Sequence, residues 1–477
     1  MRAFWAIVVL TMRNALRSRI FQVLLLMLAL GVWLIPATTQ SEGSAMGYIQ
    51  VSLRYSLSVV TFILSLSALW LSCYIMTTDV DGYQIHMVVT KPVSRLKIWF
   101  AKWFSIVLMH TVLLFISLAV VFSIIMYQFK YGEFSDQDRL RVENEVLVGR
   151  RSFKPQMEDL DAVLRQKLID LQQSKIRIGE KMDEVQLVTA EHDLRRELKA
   201  QFGEVLPGKS RTWVYNNLPT NEPAYLRYRI FIASYSDDKQ RETQGLWLAG
   251  RPVFDKRSDG SEVVDPRAGD KYTFHFWPLS SEMLKIYGGQ YQELEIPVGA
   301  VAPDGRAEVE YFNYDVFTRP DGTRSEVQFF QPGDGPFLMV KVCGFSENFL
   351  RGVIAMLFQV ITFATLGCAA AAVVSMTTAI FISISYLVIG ALINILPELS
   401  SYHDISSPMF YFSKVVEWLF VPLQKFDVSG MLSEGIVIDW SYIGELFLYV
   451  VILRVAVIAT FCINCFTRRE LGLVVRK

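Results

Sequence analysis

Apolar positions fall in two blocks at the ends of the chain, and polar positions hold the middle. The first block has apolar runs at residues 20–35, closed by Pro36, then at 54–77 and 103–126. The second has runs at 350–374, 379–396 and 442–466. Crossing a bilayer takes about 20 consecutive apolar residues in a helix. The pattern therefore predicts an α-helical integral membrane protein with six transmembrane helices. The 20–35 run is short for that length, so its span is expected to start inside the preceding segment. The second run carries Ser56, Ser58, Ser65, Ser67 and Ser72, small polar residues of the kind that let helices pack closely in lipid.

The segments flanking these runs are distinctive. In residues 1–19, Phe4, Trp5, Val8, Val9, Met12 and Leu16 recur at helical spacing, with Arg2, Arg13, Arg17 and Arg19 between or beyond them. Two readings stand: an amphipathic interfacial helix, or the cytoplasmic end of the first span. Residues 37–53 read as a small external loop, and residues 375–378 as a short uncharged link. Residues 397–441 mix Tyr411, Phe412, Trp418 and Phe420 with charges. They predict an external helical segment lying on, or dipping into, the outer leaflet.

The polar middle is expected to form an extracytoplasmic α+β insert between spans three and four. Residues 128–209 read as helical. Leu160, Val163, Leu164, Leu168, Leu171, Ile178, Met182, Val185, Leu194 and Leu198 form a stripe among charges, which predicts long helices, either as a lid or as a stalk. Residues 210–347 alternate, as in residues 226–232 and 271–276, and are punctuated by Asp259-Gly260, Asp304-Gly305, Asp321-Gly322 and Asp334-Gly335. This predicts an antiparallel β-sandwich, a jelly roll being one arrangement. The remaining divisions are 20–127 for spans one to three and 348–477 for spans four to six.

Charge changes the picture in one respect. The 477 residues balance 47 Lys and Arg against 47 Asp and Glu, and no basic-aromatic stripe appears, which argues against nucleic-acid binding. Basic residues instead gather near residues 1–19, 91–102 and 468–469. The positive-inside rule puts those stretches, and both termini, on the cytoplasmic side of the membrane. The insert and residues 397–441 then face outward. Of the five cysteines, Cys343 alone lies in the polar middle, so no disulfide framework is expected there. The first apolar run has no small-residue cleavage site and reads as a retained span.

Between the second and third runs lies residues 79–102. It opens Asp79-Val80-Asp81-Gly82-Tyr83-Gln84 and continues to Lys91-Pro92-Val93-Ser94-Arg95. A short surface helix ended by Pro92 fits the first part. This stretch resembles the coupling segment of permease subunits of ABC transporters in the type-2 exporter family. Three other features are similar to the same family: the Ser375-Met376-Thr377-Thr378 link, the external Glu417-to-Asp427 segment, and the ending Phe466-Thr467-Arg468-Arg469-Glu470-Leu471. The likeness covers residues 1–127 and 348–477; the large insert departs from it. What the resemblance implies is a separate ABC ATPase subunit docked on Asp79, Asp81, Gly82, Tyr83, Gln84, Lys91, Pro92 and Arg95. ATP and Mg would sit on that partner, with no cofactor, metal or catalytic residue in this chain. A second permease copy or a paralogue would complete the pathway, and an envelope protein is a further candidate partner of the insert.

Other motifs are weaker. Residues 203–210 match the phosphate-loop pattern, yet charged helix precedes them and a strand pattern follows, so a chance match in a turn is expected. Cys462 and Cys465 have redox spacing without the strand-helix context. Arg454 lies near the centre of the last run, about 12 residues or ~18 Å from either end. An ion there faces a bundle interior or a wet cavity, as a pathway residue or as a structural hydrogen-bond donor. His110, in the third run, raises the same question. The alternative to an exporter is a membrane-anchored extracytoplasmic binding or scaffold protein, recognising glycans or envelope proteins without transport. A tethered hydrolase would not need six spans.

Overall fold

The computed structural model describes residues 2–38, 45–81, 93–156, 160–177, 184–201, 203–232, 242–252, 255–256, 262–263, 274–279, 284–287, 289, 291–314, 327–331, 333–392, 415–416 and 418–468. The chain divides into two compact units, Met1–Gly149 with Cys343–Lys477, and Arg150–Val342.

The first unit is helical. Helices α1 (Arg2–Arg17) and α2 (Arg19–Thr38) precede α3 (Ala45–Asp81) and α4 (Arg95–Tyr131). The short α5 (Asp136–Glu145) follows. Local capping fixes two of these starts. The Ser94 hydroxyl accepts from the Lys97 amide, and the Ser135 hydroxyl from the Asp138 amide at 3.1 Å while donating to the Asp138 carboxylate. After the second unit come α8 (Phe345–Ala371), α9 (Met376–Leu392), a short helix Ser429–Ser433, and α10 (Trp440–Arg468). Within α10, Leu446–Val455 has π geometry.

Four of these helices, α3, α4, α8 and α10, are long and apolar enough to cross a membrane. By length and composition the protein is therefore a multi-pass membrane protein. Six spans are not shown among the described residues. The segments Arg2–Arg17 and Phe21–Pro36 meet at a 68° bend and make at most one further span as a pair, and α9 has only 17 residues. Helices α3 and α8 are the most enclosed and pack along each other. At their closest approach a Cβ on Gly367 would stand 2.0 Å from Ser72 Oγ and 2.7 Å from Leu69 O, so only glycine lets these two backbones meet. Helix α1 packs on α4 through Phe4, Trp5 and Phe104.

The second unit is α+β. Strand β1 (Val148–Phe153) opens it, within an interval expected to be helical throughout. The charged composition of the interval hid this strand. Arg150 is in fact 1% exposed and forms a two-pronged pair with Glu293, at 2.6 and 3.0 Å. Helices α6 (Leu160–Arg177) and α7 (Glu184–Gln201) pack on one another, with Leu164 and Leu198 buried. The strands that follow are β2 (Glu204–Val205), β3 (Ser210–Tyr215), β4 (Ala224–Ile232), β5 (Glu242–Pro252), β6 (Asp255–Lys256) and β7 (Glu262–Val263). Then come β8 (Phe274–Pro278), β9 (Leu284–Tyr287), β10 (Tyr291–Ile296), β11 (Ala307–Asn313), β12 (Gln328–Phe330) and β13 (Phe337–Gly344).

They form a six-stranded sheet in the order β1-β13-β4-β12-β2, with β10 also on β4, and a five-stranded sheet in the order β3-β11-β5-β8, with β9 on β5. Antiparallel registers such as Leu226↔Leu338 and Tyr311↔Trp247 set which side chains face inward. On β4, Ala224, Leu226, Tyr228 and Ile230 enter the core between the sheets. Its centre is aromatic. Trp247 lies 4.7 Å from both Tyr228 and Tyr311 and 5.5 Å from Phe330, ring centre to ring centre. The buried phenols are satisfied: Tyr311 donates to Gln328, Tyr228 to Gln292 and Tyr215 to Pro336 O. Trp247→Ala should remove ~3–5 kcal/mol from this unit, read as a lower denaturant midpoint for its unfolding, with the helical unit's transition unchanged.

Candidate functional site

Residues 82–92, the middle of the stretch 79–102, lie outside the described residues. That holds for Gly82, Tyr83, Gln84, Lys91 and Pro92, while Asp79 and Asp81 end the backbone of α3 with their side chains outside the description. What is described is its foundation. Arg95 Nη1 donates to Thr467 O at 3.0 Å, joining the start of α4 to the end of α10. Lys102, 4% exposed, donates to Ile75 O at 3.1 Å near the end of α3. Trp99 Nε1 donates to Cys368 O at 3.3 Å and Trp103 Nε1 to Thr365 Oγ1 at 2.9 Å, both in the last turns of α8. The two indoles stack with an interplanar angle of 9°. About two and a half turns of α4 thus bind three other helices through four side chains. Sequence reasoning singled out Arg95, took Lys102 only as one of the basic residues of the stretch, and gave Trp99 and Trp103 no role. The i, i+3, i+4 spacing of Trp99, Lys102 and Trp103 was the available signal.

A second feature involves the irregular chain around residues 418–439. Arg454 Nη1 donates to Phe420 O at 3.0 Å. The Tyr386 hydroxyl donates to Leu419 O at 2.8 Å and Gln424 Nε2 to Ala391 O at 2.9 Å, tying α9 to the same segment. From α8, Asn348 donates to Ile436 O and accepts from Ile438 N, both at 2.8 Å, while Arg351 donates to Ile438 O at 3.2 Å and pairs with Glu347. Lys425 pairs with Glu445 at 2.6 Å. Arg454 therefore holds a backbone carbonyl. His110, fully buried, sits between Ile106 O and Ser67 Oγ, 2.9 Å from each. With Nδ1 donating to the carbonyl, Nε2 accepts from the hydroxyl, so the neutral ring satisfies both groups.

A cavity of about 410 Å³ opens between α3, α8 and residues 423–429. Ser58, Gln359, Asp427 and Ser429 are among its polar lining residues and Phe62, Met356 and Phe426 among its apolar ones. Neither Arg454 nor His110 is among its lining residues.

The remaining motifs resolve locally. Residues 203–210 join β2 of one sheet to β3 of the other, with Gly208 at φ +71° making the turn. The Gly208 amide donates to Asn313 O at 2.9 Å, and a strand follows where a phosphate loop needs a helix. Cys462 and Cys465 are free thiols within α10. Among the described residues no three His, Cys, Asp or Glu side chains cluster as metal ligands. On the second unit, Tyr291 donates to Asp334 at 2.8 Å, and Arg227 and Arg229 lie 4.5 and 4.9 Å from its ring centre. Burial, then that hydrogen bond, raise the phenol's pKa above its ordinary value. No protein-family model, curated relative or solved structure matches the chain.

Arg454→Leu leaves Phe420 O without its donor, which should cost ~1–3 kcal/mol. The expected result is a lower thermal midpoint in detergent and faster proteolysis within residues 418–426, with Arg454→Lys recovering part of the loss. Unchanged stability alongside lost transport would instead make Arg454 a pathway residue.

Proposed function

We propose that the chain is the membrane-spanning permease subunit of an ATP-driven ABC exporter, working with a separate ATPase subunit. The observation that carries the reading is the joint beneath residues 79–102. A partner that pushes on this stretch moves the membrane helices only if the stretch is stiffly connected to them. Arg95, Trp99, Lys102 and Trp103 make that connection to α10, α3 and α8 at one end of the bundle. An ordinary loop between two spans needs no such bracing. The resemblance of the Lys91-to-Arg95 stretch and of the Phe466-to-Leu471 ending to one permease family supports the same reading, because Arg95 bonds Thr467 within that ending.

In this mechanism ATP and Mg bind the partner, and its closure shifts residues 79–102. Asp79, Asp81, Gly82, Tyr83 and Gln84 supply the contact, and Lys91, Pro92 and Arg95 the exit into α4. The shift passes through the joint to the enclosed pair α3 and α8. A second copy or a paralogue completes a pathway of twelve spans, six from each chain, in a bacterial inner membrane. Both termini and the coupling stretch face the cytoplasm, and Arg150–Val342 faces outward, where it receives substrate or an envelope partner. The competing reading, an anchored binding or scaffold protein, draws on the second unit's own aromatic core.

The two separate on purification. Tagged chain extracted in mild detergent from its native cell is expected to carry an ATPase in equal amount. Reversing charge at Asp81 and Arg95 together should reduce the bound ATPase by about tenfold or more, without lowering the chain's own yield. Recovery of the chain alone, or with outward-facing proteins only, would favour the binding-scaffold reading.

A further inference from the structure

We propose that the cavity between α3, α8 and residues 423–429 is a binding site for a cationic amphiphile whose headgroup donates hydrogen bonds. Its size suits a small ligand: about 410 Å³ falls within the usual range for such sites. Its chemistry is divided. Phe62, Met356 and Phe426 supply an apolar wall against which a hydrocarbon chain leaves water. The polar lining includes Asp427, the one ionisable residue among those lining the space.

The hydrogen-bond directions decide which headgroup fits. The Ser429 hydroxyl donates to Asp427 Oδ1. Ser58 Oγ lies 2.9 Å from Ser429 Oγ, and since the Ser429 proton is committed to the carboxylate, Ser58 is the donor of that pair. Both hydroxyl protons are thus used inside the wall, so the Ser58, Asp427 and Ser429 cluster offers a ligand lone pairs and a carboxylate charge, while the Gln359 amide adds neutral N–H donors beside it. Nearby protein cations are engaged elsewhere, Lys425 with Glu445 and Arg454 with Phe420 O. Asp427 forms no ion pair among the described residues, and its side chain is exposed. An ammonium group with an apolar tail pairs with the carboxylate and covers the apolar residues, whereas an anion meets the carboxylate's like charge. Low-dielectric walls strengthen a carboxylate-ammonium contact relative to one in water.

The proposal concerns binding alone and stands or falls without the ATPase. The test is equilibrium binding of tritiated dodecylammonium to the full chain in nanodiscs of zwitterionic lipid, with empty nanodiscs as background. Saturable binding at one site per chain is expected, weakened about tenfold or more by Asp427→Asn and retained within a few-fold by Asp427→Glu. Met356→Trp, which fills the space and leaves the carboxylate in place, should abolish it. Dodecanoate should not compete. Asn keeps an acceptor for Ser429, so an unchanged thermal midpoint certifies that variant. Signal no greater than empty nanodiscs, equal competition by dodecanoate, or full binding by Asp427→Asn would each overturn the proposal.

Discussion

Irregular backbone beside apolar helices must find its hydrogen bonds inside the protein, because lipid offers none. That constraint organises the helical unit. Residues 418–439 break from helix, and the carbonyls so released meet long polar side chains from the neighbouring helices: Arg454 from α10, Tyr386 from α9, Asn348 and Arg351 from α8. The charges among them are stabilised by what they hold. Arg351 also pairs with Glu347 and lies over the Trp440 ring, 5.3 Å from its centre. Each such side chain serves as a strut for this segment.

The other end is built differently. There the helices end in regular turns, and indole and ammonium donors from a single stretch of α4 reach the terminal carbonyls of α3 and α8. At this same end Gly367, between Thr365 and Cys368 of the joint, allows α3 and α8 to touch. A stiff, close-packed end and an opposite end held by side-chain struts form a device that can carry a displacement along its axis. That is the physical sense in which the proposed exporter mechanism fits this fold.

Much of the architecture was legible from residue pattern alone. Four long apolar runs became helices α3, α4, α8 and α10, and alternation at residues 226–232 became β4 with its even-numbered positions inward. Of the segment 397–441, the described residues 418–439 form short helices and irregular chain. What pattern could not show was pairing. Nothing local to Arg150 announces that Glu293, far along the chain, will neutralise it in a buried strand. Nothing in an apolar run reveals π geometry over Leu446–Val455 or a 68° bend between α1 and α2. The candidate site divides likewise. Arg454 and Arg95 stood out as charges in telling positions, whereas Trp99 and Trp103 looked like ordinary membrane aromatics. The cavity required Ser58 and Asp427, remote in sequence, to be brought to the same wall.

The whole account depends on α4 crossing the membrane once, so that the coupling stretch and the β-rich unit face opposite compartments. The direct measurement is labelling of single exposed cysteines, Lys97→Cys and Glu222→Cys, in spheroplasts with a membrane-impermeant maleimide. The account predicts that Glu222→Cys reacts in intact spheroplasts, and that Lys97→Cys reacts only after the membrane is permeabilised. Labelling of both positions from the same side would contradict it.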